Sequence, residues 1–559
     1  MTRLPLLPSR LSWAALAVLL VGMSDCETLL NEVNPNRDLD PELVEEVEGE
    51  STGAFRSIDG TGNNRNHYTL GAAHTPLLRE VSSSYTDGIS SMAGASRPSP
   101  REVSNALCAQ EDPAPNALGT SDYLWQWGQF LDHDIDLTEA HEPAESHPII
   151  PEPGDPFFDP NNTGQAEIEF HRSLHHPASG FSADYPRQQV NQITHYIDAS
   201  NVYGSDEARA AALRTNDGTG RLAVSAGNLL PFNTEGLPNA GGTGPELFLA
   251  GDPRANEQVG LTAMHTLFVR EHNRRVAELA SVEPFLSGDA LYERARAFVG
   301  ALMQRITYSE FLPALLGPDA LEPYVDYRFL TNPAIRNCFS TAAYRFGHSA
   351  VSDTLLRLDA DGNEISFGHL SLRDAFFAPE RIVSEGGIEP LLRGLAAQEM
   401  SAIDTKVVDG LRNFLFGPPT AGGLDLVSLN IQRGRDHGLP DYASAMFELG
   451  LGEITAFDQI SSDPEVQSTL AAQYGSVNNI DMWVGGIAED PINGGHLGPL
   501  FFHVIKKQFE ALRDGDRYWY QRSLPADELL EVENTTLADV IRRNTSIDTE
   551  IPDDVFHVN

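Results

Sequence analysis

A mainly α fold is predicted, a single large helical domain with long loops and little β structure. Three observations predict it. Apolar residues recur at helical spacing in several long windows. Strand-like alternation of apolar and polar residues is scarce. Stretches rich in Gly, Ser and Pro, over 51–120 and 141–190, are too long for tight turns and read as loops wrapped over a core.

Taken in order, residues 1–24 carry Arg3 and Arg10 and then an apolar run through Met23, the pattern of a cleaved export signal. That predicts a secreted, periplasmic or extracellular protein. Cys26 raises lipidation, but Asp25 before it fits that poorly. Residues 25–50 form an acidic leader ending in Glu48-Gly49-Glu50, and 51–559 form the body. Within the body, helical patterns cover 122–137, 205–215, 257–280, 289–311, 332–350, 387–415 and 441–449, and no later segment reads as a membrane span. No repeat or linker divides it.

The balance of 38 basic against 80 acidic residues gives a net charge of -42, which repels nucleic acid and anionic membranes. Three cysteines, Cys26, Cys108 and Cys338, provide no disulfide framework. Core packing and bound ligands must hold the fold.

The chemistry concentrates in four segments. In Gln129-Phe130-Leu131-Asp132-His133-Asp134, Gln129, Asp132 and His133 share one helix face, with an amide, a carboxylate and an imidazole among large apolar residues. Over a haem iron, such an imidazole acts as a general acid and base toward peroxide, near its natural pKa. Alone, the segment is better described as a capped, salt-bridged surface histidine. In Thr194-His195-Tyr196-Ile197-Asp198-Ala199-Ser200, Thr194, Asp198 and Ser200 direct oxygens, Tyr196 offers its carbonyl, and Asp134 completes a set of hard donors suited to calcium. The competing reading is a polar turn. Arg254, Glu257 and Gln258 precede a long helix, with Arg254 placed to stabilise charge on a leaving oxygen. His265 and His272 within that helix read as structural. Tyr344-Arg345-Phe346-Gly347-His348 offers an iron-ligating imidazole, with Asn430 as the acceptor that orients it.

The order and spacing of these segments, together with Phe55-Arg56-Ser57-Ile58-Asp59-Gly60, Arg101-Glu102-Val103-Ser104-Asn105 and Leu512-Arg513-Asp514-Gly515-Asp516-Arg517-Tyr518-Trp519, resemble the animal-type haem peroxidases, the group that includes myeloperoxidase, lactoperoxidase and peroxinectins. The resemblance implies His133 as distal histidine, Gln129 as the peroxide-orienting amide and Arg254 as distal arginine. It implies His348 as proximal iron ligand, Asn430 as its partner and Arg345 as a neighbour of the haem. Asp132 and Glu257 correspond to carboxylates that become esters to the haem, and Asp134, Thr194, Tyr196, Asp198 and Ser200 to calcium ligands.

The implied activity is reduction of hydrogen peroxide through an oxyferryl intermediate, with oxidation of small anionic or aromatic reductants. Gln258 stands where myeloperoxidase carries the methionine that forms a sulfonium bond, which points to bromide, iodide, thiocyanate or phenols rather than chloride. Gly62 stands where vertebrate relatives have cysteine. The run Asp359-Ala360-Asp361-Gly362-Asn363-Glu364 resembles part of a calcium loop but lacks the spacing for one. Two other readings stay open: a fatty-acid dioxygenase or cyclooxygenase-like oxygenase, for which Tyr344 near His348 is the relevant residue, and an adhesive peroxinectin-like extracellular scaffold.

Overall fold

The computed structural model describes residues 55–110 and 114–558. The expected export signal, the acidic leader and Cys26 lie outside the described residues. The body is mainly helical, as expected, with long irregular connections and two small two-stranded antiparallel sheets among the described residues. Six helices matter for the site: α1 (Pro100–Leu107), α2 (Tyr123–Ile135), α3 (Val259–Val282), α4 (Gly288–Ile306), α5 (Leu426–Asp436) and α6 (Pro499–Asp514).

Helix α2 is the axis of the core. Tyr123, Leu124, Trp127, Phe130, Leu131 and Ile135 are all fully buried, and so are polar residues between them. A helix buried nearly all round belongs at the centre of a large core rather than on its edge. It starts where Ser121 Oγ accepts from the Tyr123 N–H at 3.2 Å and Asp122 Oδ1 accepts from Trp125 Nε1 at 2.8 Å. It stops at Asp136, whose backbone is extended. On one side it meets α3, where Phe130 stacks on Phe268 with ring centres 5.1 Å apart and Trp127 tilts against the same ring at 5.8 Å. Such aromatic pairs add to the burial of their area.

Helix α3 is capped by Gln258, whose side chain accepts from the Gly260 N–H at 2.6 Å. Ser287 caps α4 in the same way through the Ala290 N–H. These two helices match the expected patterns at 257–280 and 289–311, the second ending in a π-helical turn, Thr307–Phe311. The 332–350 pattern is not one helix. It breaks into Asn337–Thr341, a 3-10 turn Ala343–Phe346 and Gly347–Ala350, because Ala342 leaves the helical region with φ −129° and ψ −67°. The 387–415 pattern likewise divides into Glu389–Ala397 and Asp409–Arg412, since Ser401 and Glu399 turn aside to form bridges with Pro115 and Ser121.

Strand β1 (Thr75–Pro76) pairs with β2 (Val190–Asn191), Thr75 opposite Asn191, and this pair carries the chain directly into the 194–200 segment. Strands β3 (Thr354–Leu355) and β4 (Leu370–Ser371) make the second pair. Cys108 and Cys338 are buried and unpaired, so packing holds the body without a disulfide between them. Among the described residues, no helix is long and apolar enough to cross a membrane.

Candidate active site

A cavity of about 380 Å³ opens beside α2, within the size range of small-molecule and cofactor sites. Helix α2 contributes Gln129, Asp132 and His133 to it, the turn before α3 contributes Arg254 and Glu257, and the segment 343–350 contributes Arg345 and His348. Apolar walls come from Val351, Leu372, Phe376, Leu415 and Leu429. Residues far apart in sequence thus converge on one space, and the spacing of Gln129, Asp132 and His133 on one helix face is the reason three of them do.

His133 is 3% exposed, with Nδ1 3.5 Å from Asp252 Oδ1 and Nε2 4.0 Å from Glu257 Oε2. Neither distance is a hydrogen bond, and Nδ1 is a buried nitrogen with no protein partner. Burial, and then the nearby Arg254 guanidinium, hold the imidazolium well below its usual range, with Asp252 opposing them. The ring is therefore neutral near pH 7 and able to accept a proton.

Arg254 is held on several sides. Its Nε and Nη2 donate to the two oxygens of Asp252 at 2.9 and 2.8 Å, Nη2 also donates to the Asp136 carbonyl at 2.8 Å, and Nη1 reaches Asp132 Oδ2 at 3.3 Å. Burial alone would raise the Asp252 carboxyl, but Arg254 and His133 outweigh it and bring it to about 2. Asp252 is the site residue that sequence reasoning missed; its only signal was its place two residues before Arg254.

Asp132 and Glu257 behave differently. Their carboxylates face the cavity, 31% and 21% exposed, and burial lifts each to about 7 against the pull of Arg254, with Asp136 adding to the rise at Asp132. Gln129 Nε2 donates weakly to Glu257 at 3.4 Å, and Gln258 Nε2 donates to Gln126 at 2.7 Å and to Gln129 at 3.1 Å. Gln258 is therefore committed twice, as the cap of α3 and as the prop for Gln129.

Across the cavity lining, His348 Nδ1 lies 2.8 Å from the Asn430 amide, supplied by α5. Arg345 Nη1 donates to Asn430 Oδ1 at 3.1 Å and Nε to the Ser340 carbonyl at 3.0 Å. Burial first, then Arg345, push the His348 imidazolium down to about 3, against the Asn430 contact. The structure brings Asn430 to His348 on a helix that the sequence patterns did not include.

Asp134, one residue after His133, faces away from the cavity toward 194–201. Its Oδ2 accepts from the Asp198 and Ala199 N–H groups at 3.1 and 3.2 Å, and its carbonyl accepts from Ser200 Oγ at 2.7 Å. Asp198 Oδ1 accepts from Thr194 Oγ1 at 3.0 Å, while Asp198 Oδ2 is buried without a partner. Burial, and then mutual repulsion, raise Asp134 well above the carboxylate range; burial also raises Asp198, against Arg56 and Arg296. Ala199 sits in the left-handed region with φ 64°, which turns Asp198 and Ser200 toward Asp134. Tyr196 lies in the same turn, its hydroxyl donating to the Leu70 carbonyl at 2.8 Å. Two buried acids facing one another, with one oxygen unsatisfied, form a donor set suited to a hard cation.

His272 bonds Tyr203 and the Gly220 carbonyl, a structural role, whereas His265 packs edge-on to Phe130. The 359–364 run closes on itself as a turn, with Asp359 Oδ1 accepting from the Asp361 and Asn363 N–H groups.

The sequence profile described as animal haem peroxidase matches residues 55–556. A peroxidasin homolog of Homo sapiens is 38% identical over 553 residues, covering 90% of this chain and 37% of that protein. The thyroid peroxidase of Sus scrofa is 36% identical over 560 residues, covering 90% of this chain and 60% of that protein. The chain thus spans less than two thirds of these relatives' length. Among solved structures, peroxidase A from Dictyostelium discoideum superposes with a TM-score of 0.84 at 32% identity, covering 90% of this chain and 100% of that one. A fatty acid alpha-dioxygenase of Arabidopsis thaliana superposes with a TM-score of 0.75 at 21% identity, covering 90% of this chain and 83% of that one, a likeness of fold alone. On the profile match and these identities, the chain belongs to the animal haem peroxidase family.

Proposed function

We propose that the chain is a haem-dependent peroxidase, reducing hydrogen peroxide and oxidising small anionic or phenolic donors. The observation that carries this reading is the pair of neutral histidines lining one cavity, buried His133 beside the Arg254–Asp252 pair and half-buried His348 on Asn430. The cavity's lining fits a haem: apolar side chains share it with the carboxylates of Asp132 and Glu257 and the guanidinium groups of Arg254 and Arg345. His348 would ligate the iron through Nε2. Asn430 turns Nδ2 to His348 Nδ1 and Oδ1 to Arg345, so freeing the Nε2 lone pair for metal would require the amide to reverse and Arg345 to give up its contact with Oδ1.

Haem, when bound, supplies the redox chemistry. The chain's own residues control protons and orientation. Neutral His133 takes a proton from peroxide at Nε2 and returns it to the departing oxygen. Gln129, propped by Gln258, orients the peroxide, and Arg254 stabilises developing negative charge. Asp132 and Glu257, held neutral enough to be half protonated near pH 7, are the candidates for ester links to the haem. Gln258 in place of a sulfonium-forming methionine favours bromide, iodide, thiocyanate or phenols over chloride. Calcium would be held by Asp134, Thr194, the Tyr196 carbonyl, Asp198 and Ser200, pinning the backbone next to His133. Export out of the cytoplasm, by way of residues 1–24, is part of the same reading.

The alternative oxygenase reading rests on Tyr344, which lines the cavity with a buried hydroxyl that has no partner. Purification with haem and calcium, followed by a Soret spectrum and parallel assays of peroxide with bromide and of oxygen uptake on linoleate, separates the readings. Halide turnover without oxygen uptake is expected. The reverse result assigns an oxygenase, and a protein that binds no haem is the adhesive scaffold. Haem that leaves entirely in acidic solvent would overturn the ester assignment.

A further inference from the structure

Two loops at the rim of the cavity carry a second group of ligating side chains that none of this chemistry uses. Among the described residues, His141, Glu145 and His175 place one ligand atom each within 4.8 Å of one another. We propose that they form a binding site for a divalent transition ion of the zinc class, distinct from both the haem cavity and the oxygen-rich corner at Asp134. The proposal does not rest on the peroxidase reading.

The backbone already holds the three residues in place. The His141 N–H donates to the Arg172 carbonyl at 2.9 Å, the Arg172 N–H to the Glu145 carbonyl at 2.9 Å and the Leu174 N–H to the Glu139 carbonyl at 2.9 Å. His175 bridges to Gln189 on the other side. The two imidazole rings lie face to face, with centres 5.0 Å apart and planes 28° from parallel.

His141 Nδ1 faces both the Pro143 carbonyl at 3.1 Å and Glu145 Oε1 at 3.6 Å, so it is the ring nitrogen turned toward the carboxylate, and binding an ion there leaves the ring proton on Nε2. Glu145 Oε2 accepts from Arg187 Nη1 at 2.7 Å, while Oε1 lies 3.6 Å from His141. The arginine thus fixes the carboxylate through one oxygen and leaves the other facing the rings. His175 Nδ1 is buried and has no partner, an unsatisfied nitrogen in the middle of the group. An orphaned buried nitrogen is costly unless something else satisfies it.

The donor set selects the ion. Two imidazoles and one carboxylate suit a borderline cation such as zinc or copper and not calcium, and three protein ligands leave a position open for water. Bonds of about 2.0–2.2 Å would draw the ligand atoms together by roughly 1 Å. His141 at 23% and Glu145 at 36% side-chain exposure have the freedom for that movement and a path for the ion from solvent. Arg172, with Nη1 3.8 Å from Glu145, and Arg187 are the cations nearby, and Glu145 already neutralises one of them.

The consequence lies at the cavity rim. Ser173, two residues before His175, and Leu137 and Thr138, just before His141, line the cavity. A bound ion would cross-link the two loops that carry them.

Titration calorimetry of the full chain with zinc chloride, carried out both with and without added haem and calcium, tests the site. One zinc per chain is expected, with a sub-millimolar dissociation constant. His141→Ala and His175→Ala should each weaken it by at least about tenfold. His171→Ala, which alters a histidine paired with Glu169 on the same loop, should leave it unchanged. Near-ultraviolet circular dichroism identifies variants that remain folded. Independently, pulsed electron paramagnetic resonance of added copper should show imidazole nitrogen coupling that either variant removes. Absence of saturable zinc binding, or binding by the His141→Ala/His175→Ala double variant equal to that of the unaltered chain, would overturn the proposal.

Discussion

His133, buried, and His348, half-buried, are both imidazoles held neutral at one cavity, yet the chain surrounds them in opposite ways. His133 sits on an uninterrupted helix, between Asp252 and Glu257, with the ion pair of Arg254 alongside. His348 sits on the last piece of a helix broken twice, and its contact is one amide from a distant helix. A proton shuttle needs charged neighbours that favour both of its states. A metal ligand needs a fixed orientation and a stable lone pair, for which one neutral partner suffices. On the proposed reading, these surroundings suit two chemically identical side chains to two different tasks.

The largest test breaks the His348 half. His348→Ala should lose the Soret band and all detectable turnover, and a variant that keeps both would end the assignment of His348 as iron ligand. Next comes the His133 half. His133→Ala should retain the haem spectrum while turnover falls by about 10²–10⁴-fold, the usual worth of a positioned acid and base. Loss of haem in that variant instead would mean that the two histidines do not divide the work as described.

A third test separates His133 from its support. Calcium at 100 times its dissociation constant should stabilise the chain by about 2.7 kcal/mol. Asp134→Asn should abolish that response in thermal melts, because Asp134 is one of the two acids that repel each other in the buried corner.

The smallest effect is a pH dependence. Asp132 and Glu257 titrate near 7 in the fold, above their ordinary values of 3.8 and 4.5. The folded chain therefore binds more protons than the unfolded chain between these limits. The stability from these two groups is fully present below about pH 4 and is lost as pH rises through about 7. Without haem, where both carboxyl groups are free to titrate, melting temperatures of Asp132→Asn/Glu257→Gln across pH 4 to 8 should slope less than those of the unaltered chain, about pH 7 above all. An unchanged slope would remove these carboxylates as its source.

Much of this arrangement is legible in the amino-acid sequence, and for a definite reason. Helices α2, α3 and α4 are long and strongly periodic, so their existence and the grouping of Gln129, Asp132 and His133 followed from spacing alone. The segment around His348 misled, because its apolar residues keep helical spacing while the backbone at Ala342 does not. Helix α5, which presents Asn430, escaped because polar residues dominate it, although Asp425 accepting from the Val427 and Ser428 N–H groups is a cap that the sequence displays. Helix α6 and the helices 464–474 and 537–544 were passed over too, despite Pro464 and Pro499 at first-turn positions. Asp252 could not be found by motif, since its role comes from a fold that sets it between Arg254 and His133.

The corner around Asp198 also says when this protein can be finished. Arg56 donates to Asp516 at 2.5 Å, across 460 positions of sequence. Asn63 and Gln304 converge on the same carboxylate, and Arg56 and Asp516 both act on Asp198. Segments from near the start and near the end of the described residues therefore meet behind the oxygen-rich turn. During synthesis that wall stays open until the residues around Asp516 have emerged, so the support next to His133 closes as one of the last long-range events of folding. A nascent chain halted before that point would carry every side chain of the cavity and still lack the backing that holds them.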